Sequence, residues 1–520
     1  MNPSWLTHFW NLFTKAPSPG QGPTGAPGST PPAFDPNAVF WAMRKLPIGE
    51  APKHFVVSGM IGSGKTIAIQ LFLQSIAPRF RADRTPPEQL IVFDAKGDAI
   101  PLLAALGLDP AAPHVWILNP IDQRSALWDI GEAVQTPLMA RRLATLLVPA
   151  ESQSNAPYFT DAARELVYAV ILALNTIAGS TWTLRDLLCA LDSREHIAAV
   201  TANNGRAEVL AGRILHDDRH SSGVLSTLGT KLGRYEQVAA LWHTNRSGRR
   251  FSLQRFLEHP GVLILGNDPV LRDSFWPINA ILLQALTQEI LRSPNTFAPR
   301  HWFILDEFRA MQRVDCIHNL LNLGRSKGAA VLLGIQSLEG LVQIYGEHVA
   351  NDILSQCAHK MFLRAGGPKT AEWAERFFGK VRRIEAVVSE SSGAHGGSRS
   401  VQHGLHERSL FMGSYFLDLP LPGLGKSYVA VCDLPCLGQI IITRRPFDQV
   451  LSWCQAPSQI PAVLLRTDIR EQTLQFWTAE EVKRFCQAVA PTPIPSTDVP
   501  PDSSPKLPQR RDRRRWEQYN

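Results

Sequence analysis

Eight residues, Gly59-Met-Ile-Gly62-Ser63-Gly64-Lys65-Thr66, have the types and spacing of a phosphate cradle. Gly59, Gly62 and Gly64 let the backbone curl until several N–H groups, that of Ser63 among them, point at an anion. Lys65 would reach the β- and γ-phosphates of ATP, and the Thr66 hydroxyl would ligate Mg2+. A second constellation, Asp306-Glu307, closes the apolar run His301-Trp-Phe-Ile-Leu305 about 240 residues later. Asp306 would hold the Mg2+ through its water shell, and Glu307 would polarise the water that attacks the γ-phosphate. The third is Gly324-Arg325-Ser-Lys-Gly328-Ala-Ala-Val-Leu-Leu-Gly334-Ile-Gln336-Ser337. Gln336 would hydrogen-bond the γ-phosphate or the attacking water. Arg325, on an exposed turn, could enter a neighbouring subunit's site and neutralise transition-state charge. Singly these are a glycine turn, a solvated acidic strand end, a surface arginine and a strand-end glutamine. Together they point to nucleotide hydrolysis.

Chemistry of this kind needs strands that deliver the residues to one edge of a sheet. His54 to Ser58 reads as a buried strand running into the phosphate loop, and Ile67 to Ile76 as the helix leaving it. Further short apolar runs lie at 89–94, 114–118, 262–265, 302–306, 330–334, 360–363 and 439–443, separated by helical stretches. Alternation of this sort predicts an α/β fold with a mostly parallel central sheet covered on both faces. Between 135 and 255 the texture becomes helical, as in Leu138 to Leu147 and Thr160 to Leu174, and predicts an inserted all-α domain. The expected division is a 1–37 aromatic segment and Pro/Gly linker, a 38–134 first part of the nucleotide-binding domain and the 135–255 insertion. A 256–460 second part and 461–520, C-terminal helices with a Pro/Ser-rich basic tail, complete it. The polar, Gly/Ser-rich stretch from Ser389 to Gln402 reads as a mobile loop or hairpin tip, more often solvated than in contact with a phosphate backbone.

Composition sets limits. The 520 residues are 19% charged and 44% apolar, with a net charge of +7. Arg510 to Arg515 alone holds five arginines against one aspartate, so the body is close to neutral and bulk basicity does not argue for nucleic acid. Seven scattered cysteines suggest reduced thiols in a cytosolic compartment. Cys432 and Cys436 are a near pair without a second pair or adjacent histidines, which is no zinc motif. No apolar run approaches the length of a bilayer span. The N-terminal Trp5, Leu6, Phe9, Trp10, Leu12 and Phe13 share a helical face, which suits a membrane surface, a partner, or the protein's own body.

The arrangement resembles the type IV coupling proteins, the TraD/TraG-like ATPases of conjugation and type IV secretion. The resemblance rests on the three constellations and on four further segments. These are Ile91-Val-Phe-Asp94-Ala-Lys96-Gly97-Asp98, Leu118-Asn-Pro-Ile-Asp122-Gln-Arg-Ser-Ala-Leu-Trp128, Tyr158-Phe-Thr-Asp-Ala-Ala-Arg164 and Leu225-Ser-Thr-Leu-Gly-Thr-Lys231-Leu. It covers roughly residues 50 to 450. What it implies is a RecA-like P-loop NTPase that assembles as a homo-hexamer around DNA and uses ATP and Mg2+. On that reading Lys65 and Thr66 bind nucleotide and metal, Asp306 and Glu307 support hydrolysis, Gln336 senses the γ-phosphate and Arg325 is the finger offered to the next subunit. Lys231, Arg246, Arg249 and Arg250 are the cations considered for DNA contact, with a solvated surface as the plainer reading of each. Implied partners are a relaxase or other secretion substrate and a secretion channel or membrane-anchor protein. Most such proteins begin with two transmembrane helices, and this sequence shows none; a separate anchor protein, a docking aromatic helix and a truncated start are the alternatives. The implied location is therefore cytoplasmic, with peripheral attachment at the inner face of the membrane left open.

The leading expectation is an ATP-driven DNA-translocating motor delivering relaxase-bound DNA to a conjugation channel. A related RecA-like motor for partition or packaging would carry the same core. A nucleotide-gated recruitment platform with little turnover would use the aromatic N-terminus and the basic tail instead, and the intact Glu307 speaks against it.

Overall fold

Strands buried on both faces must alternate their side chains between two cores, and the central strands do so. In the computed structural model, which describes residues 34–149, 157–244, 248–268, 271–393, 396–469 and 472–487, Phe55, Val57, Leu90, Val92, Val262, Ile264, Trp302 and Ile304 pack into one hydrophobic layer. Their immediate neighbours Val56, Ile91, Phe93, Leu263, Leu265, Phe303 and Leu305 pack into the other. The period of two in side-chain direction thus puts helices on both faces of one sheet.

The strands in chain order are β1 (Ala38–Trp41), β2 (Arg44–Pro47), β3 (Phe55–Ser58), β4 (Gln89–Asp94), β5 (Val115–Leu118), β6 (Leu127–Trp128), β7 (Arg250–Phe251) and β8 (Gly261–Gly266). They continue with β9 (Thr296–Leu305), β10 (Lys327–Ile335), β11 (His359–Phe362), β12 (Lys380–Gly393), β13 (Gly396–Ser409), β14 (Ser427–Leu434) and β15 (Gln439–Pro446). Nine of them form the sheet, in the order β15-β14-β11-β3-β10-β9-β4-β8-β5. From β11 through β5 every pairing is parallel, whereas β14 and β15 run antiparallel at one edge. The phosphate-loop strand β3 and the acid-pair strand β9 are therefore separated by one strand, β10, which is followed directly by Gln336. β14, Ser427-Tyr-Val-Ala-Val-Cys-Asp-Leu434, is a buried strand that the sequence reading passed over.

One face of the sheet holds the helix Lys65–Ile76 and the β1–β2 ribbon, whose Trp41 ring lies 5.1 Å from that of Phe55. The other face carries the helix Arg272–Arg292. Between β6 and β7 the described chain is helical, with Pro157–Ala178 at the centre of the group. That helix packs against Pro137–Leu147, Arg194–Thr201, Gly205–Leu215 and Asp218–Leu232. Local signals set these boundaries: Thr136, Ser193, Asn204 and Asp217 each cap a helix start with a side-chain oxygen, and Thr183 forms a capping box with Asp186.

The C-terminal segment returns across this helical group. Leu464 and Arg466 pair with Asp122 and Ile121 through the backbone and the Asp122 carboxylate. Buried Trp477 donates to Asp186 at 3.0 Å, and Arg185 binds the Glu481 carboxylate at 2.8 and 3.0 Å. The stretch from Ser389 to Gln402 belongs to the paired strands β12 and β13, apart from residues 394 and 395. The aromatic N-terminal segment and the arginine-rich tail lie outside the described residues.

Candidate functional site

At the C-terminal edge of β3 the chain turns through Gly62 (φ +77°) and Gly64 (φ +94°) into the helix that starts at Lys65. A side chain at Gly64 would be doubly excluded, since a Cβ there would sit 2.6 Å from the buried Tyr428 ring. Lys65 is folded back into its own loop: its Nζ donates to the Gly59 carbonyl at 2.6 Å and the Met60 carbonyl at 3.2 Å. Burial pulls the Lys65 pKa down, while the Glu307 and Asp306 carboxylates push it back up. Ser63 Oγ is buried without a hydrogen-bond partner, and Thr66 is exposed.

Across β10, the end of β9 delivers Asp306 and Glu307. Glu307 sits in the left-handed region (φ +58°), an uncommon place for a residue with a Cβ, and this turns its carboxylate towards Gln336. Gln336 Nε2 donates to Glu307 Oε2. Gly334 in β10 makes room for the acid pair, because a Cβ there would stand 2.7 Å from Asp306 Oδ1 and 3.3 Å from the Glu307 nitrogen.

Lys96 is a participant to which the sequence reading gave no role. At the C-terminal end of β4, the Asp94 carboxylate accepts from the Gly97 and Asp98 N–H groups at 2.8 and 3.0 Å, closing a tight turn. The turn throws Lys96 over β9, where its Nζ lies 2.7 Å from Asp306 Oδ2 and 3.3 Å from Thr66 Oγ1. The signal was present in the sequence as a lysine between an acid and a glycine at a strand end. Its partner, however, is 210 residues away.

The same geometry tests the fit to Mg2+. One positive charge already bridges the Thr66 hydroxyl and the Asp306 carboxylate, and the second carboxylate oxygen, Oδ1, is buried without a partner. Oxygen donors around a cation-sized position suit a hard divalent ion. Thr66 and Asp306 would hold it, and it would neutralise phosphate charge when bound.

Arg325 lies elsewhere. It is exposed, on the 3-10 turn Gly324–Ser326 that precedes β10, at the N-terminal edge of the sheet. The nine residues of β10 separate it from Gln336, roughly 30 Å at strand rise. His54 pins that turn: its Nε2 meets the Leu321 carbonyl at 2.8 Å and its Nδ1 accepts from the Val331 N–H at 3.2 Å. Burial, with a small push from Arg325, lowers the His54 pKa to about 4, so it stays neutral. Arg325 is thus far from its own chain's phosphate loop and open to another chain.

The cations considered for DNA contact have internal surroundings. Arg249 donates to the carbonyls of Ala112, Pro113 and Val115 at 3.3, 3.2 and 2.7 Å, and its guanidinium lies 4.6 Å over the Trp116 ring. Arg250 binds both oxygens of Asp129. Both arginines staple the return from the helical group to the sheet edge, and their hydrogen-bonding capacity serves the fold. Lys231 is buried in the last turn of its helix. Lys231 is thus withdrawn from solvent, and the half-buried Arg249 is engaged by the fold. Arg246 lies outside the described residues. A separate cleft of about 610 Å³, lined by Gln89, Arg300, His301 and Lys327 among others, opens at the N-terminal edge of the sheet, away from the phosphate loop.

A phosphate loop, an acid pair one strand further on and a glutamine on the strand between them, all at the C-terminal edge of a parallel sheet, define a RecA-like P-loop NTPase. The model of the type IV secretion-system coupling protein DNA-binding domain matches residues 42–427, and the chain belongs to that family. It is similar to the coupling protein TraD of Escherichia coli K12, with 22% identity over 349 residues, 66% of this chain. The match spans 46% of TraD, less than half its length. Among solved structures, the unbound monoclinic form of the conjugative coupling protein TrwBdeltaN70 has a TM-score of 0.61 at 20% identity, covering 83% of this chain and 93% of that one. TrwB in complex with ADP and Mg2+ has a TM-score of 0.60 at 19% identity, covering 84% and 94%. These likenesses carry the fold.

Proposed function

We propose that this chain is an ATP-driven DNA-translocating motor, a coupling protein that brings relaxase-bound DNA or another secretion substrate to a type IV secretion or conjugation channel. The observation that carries the reading is the convergence of Lys65, Thr66, Asp306, Glu307 and Gln336 on one sheet edge in a member of the coupling-protein family. The TrwB complex with ADP and Mg2+ and that with an ATP analogue support ATP and Mg2+ as its ligands.

In the proposed cycle, an arriving phosphate replaces the Gly59 and Met60 carbonyls as the partner of Lys65. Lys96 withdraws from Asp306 and Thr66 and frees their oxygens. Glu307 accepts a proton from the attacking water, with its carboxylate oriented by Gln336. Gln336 donates to Glu307, so a γ-phosphate that drew off its amide would change the orientation of the base. Arg325 serves the neighbouring subunit, which requires a ring; a homo-hexamer is the assembly the family suggests. The helical group between β6 and β7 is the inserted all-α domain of this scheme. Among the described residues no helix is long and apolar enough to cross a membrane.

Displacement of streptavidin from end-biotinylated DNA tests the proposal. Wild type should displace it with ATP, and Lys65→Ala should not. A wild type that hydrolyses ATP on DNA yet never displaces the block would contradict translocation.

A further inference from the structure

Glu50, His359 and Cys436 come together from three remote parts of the chain, at the sheet edge opposite the phosphate loop. Glu50 belongs to the 3-10 helix Ile48–Lys53 that leads into β3, His359 opens β11, and Cys436 sits on the 3-10 turn Pro435–Leu437 between β14 and β15. One ligating atom from each lies within 4.8 Å of the others. Glu50 Oε2 and His359 Nε2 are 3.3 Å apart.

Hydrogen bonding leaves this spot unsettled. His359 is fully buried, its ring stacked on Phe55 at 4.9 Å. Neither of its nitrogens has a well-aligned hydrogen-bond partner, and Glu50 Oε2 also lacks one. Three buried polar atoms in one place, with only the 3.3 Å approach between two of them, are the kind of unsatisfied group that a bound ion or water completes.

The donor set selects the guest. A carboxylate oxygen, an imidazole nitrogen and a thiolate sulfur form a mixed set that suits Zn2+ and does not suit Mg2+ or Ca2+. We propose that Glu50, His359 and Cys436 bind a zinc-class divalent cation, with a water in the fourth position on the side of the half-exposed Cys436. One carboxylate and one thiolate balance the ion itself, which leaves the single positive charge of the partly exposed Lys53 beside it. The adjacent cation, Lys53, is already paired with the other Glu50 oxygen at 2.7 Å. On binding, the Cys436 S–H proton leaves to solvent and the sulfur–metal bond forms, with no change of oxidation state. Cys432, the near neighbour in sequence, is fully buried within β14 and takes no part. The ion would tie the segment before β3 to the start of β11 and the β14–β15 turn, clamping the strand that carries the phosphate loop from its far end.

The test is a Co2+ titration of the chelator-stripped full chain with the phosphate loop saturated by Mg2+ and ADP. Wild type should give the intense near-ultraviolet absorption of thiolate-to-cobalt charge transfer at one equivalent, and Zn2+ should bleach it. Cys436→Ser should lose that band, whereas Cys486→Ser, far from the cluster, should keep it. Glu50→Gln, which preserves shape, should weaken binding by about 10-fold or more and shrink the zinc-induced rise in melting temperature. The phosphate-loop site has no sulfur, so cobalt bound there gives no such band. Absence of the band in wild type, or its survival in Cys436→Ser, overturns the proposal.

Discussion

Replacing Lys96 with methionine separates its charge from its bulk and gives a quantitative test of the site. Lys96 Nζ and Asp306 Oδ2 are 2.7 Å apart, with side-chain exposures of 37% and 18%. At an effective dielectric of about 20, the Coulomb attraction would be about 6 kcal/mol. Lysine desolvation and solvent screening offset most of it, leaving about 1 kcal/mol net. A divalent ion bridging Thr66 and Asp306 must displace that ammonium, so Lys96→Met should raise metal affinity by roughly fivefold. The assay is Mn2+ binding to the ADP-saturated protein, read by electron paramagnetic resonance, because ADP has no γ-phosphate to recruit Lys96 elsewhere. A second readout is thermal. Without metal the variant leaves the Asp306 carboxylate uncompensated and should melt below wild type, and Mn2+ should stabilise it by more than it stabilises wild type. Unchanged or weaker Mn2+ affinity in Lys96→Met would refute the idea that the lysine holds the metal's place.

Other outcomes follow from neighbouring contacts. Gly334→Ala puts a Cβ 2.7 Å from Asp306 Oδ1, and the displaced acid should lower metal-dependent ATPase activity at least tenfold, with a loss of about 1–3 kcal/mol in stability by urea unfolding. Gln336→Ala should bind ATP with near wild-type affinity while turnover falls by about 100-fold, since the orienting contact to Glu307 is lost; loss of nucleotide binding instead would argue for a purely structural glutamine. Arg325→Ala and Lys65→Ala should each be inactive, yet a mixture should recover part of the activity, because one supplies a sound loop and the other a sound finger; no recovery in a verified mixed oligomer would count against action between subunits. Arg185 holds the Glu481 pKa down to about 2 against an ordinary 4.5. A carboxylate with a depressed pKa stabilises the fold above its unfolded pKa, and the contribution fades as pH falls from about 4.5 towards 2. Trp477 fluorescence should therefore report loosening of the C-terminal segment in that window for wild type, and already at neutral pH for Glu481→Gln.

What the sequence disclosed and what it hid follow from the range of the interactions. The phosphate loop was legible because its glycines, lysine and threonine act through local backbone geometry. The acid pair and Gln336 were legible because buried parallel strands read as apolar runs whose last residues land on one edge. The role of Lys96 was hidden, since it acts through an acid on a different strand. The burial of Lys231 and the carbonyl contacts of Arg249 leave no mark in local sequence, because their partners come from other elements. β14 escaped notice among the glycines and prolines before it, although antiparallel pairing with β11 and β15 secures it. Glu50 and His359 are separated by hundreds of residues, so spacing rules that find zinc motifs could not have paired them with Cys436.

The central claim is an ATPase coupled to DNA in an oligomer. Steady-state ATP hydrolysis should be measured for wild type and Glu307→Gln, with and without single- and double-stranded DNA, across a protein concentration series. The account predicts DNA-stimulated turnover that rises more steeply than linearly with protein concentration and falls by about 100-fold or more in Glu307→Gln, while nucleotide binding persists. Turnover that ignores DNA, scales linearly with protein and survives in Glu307→Gln would contradict it.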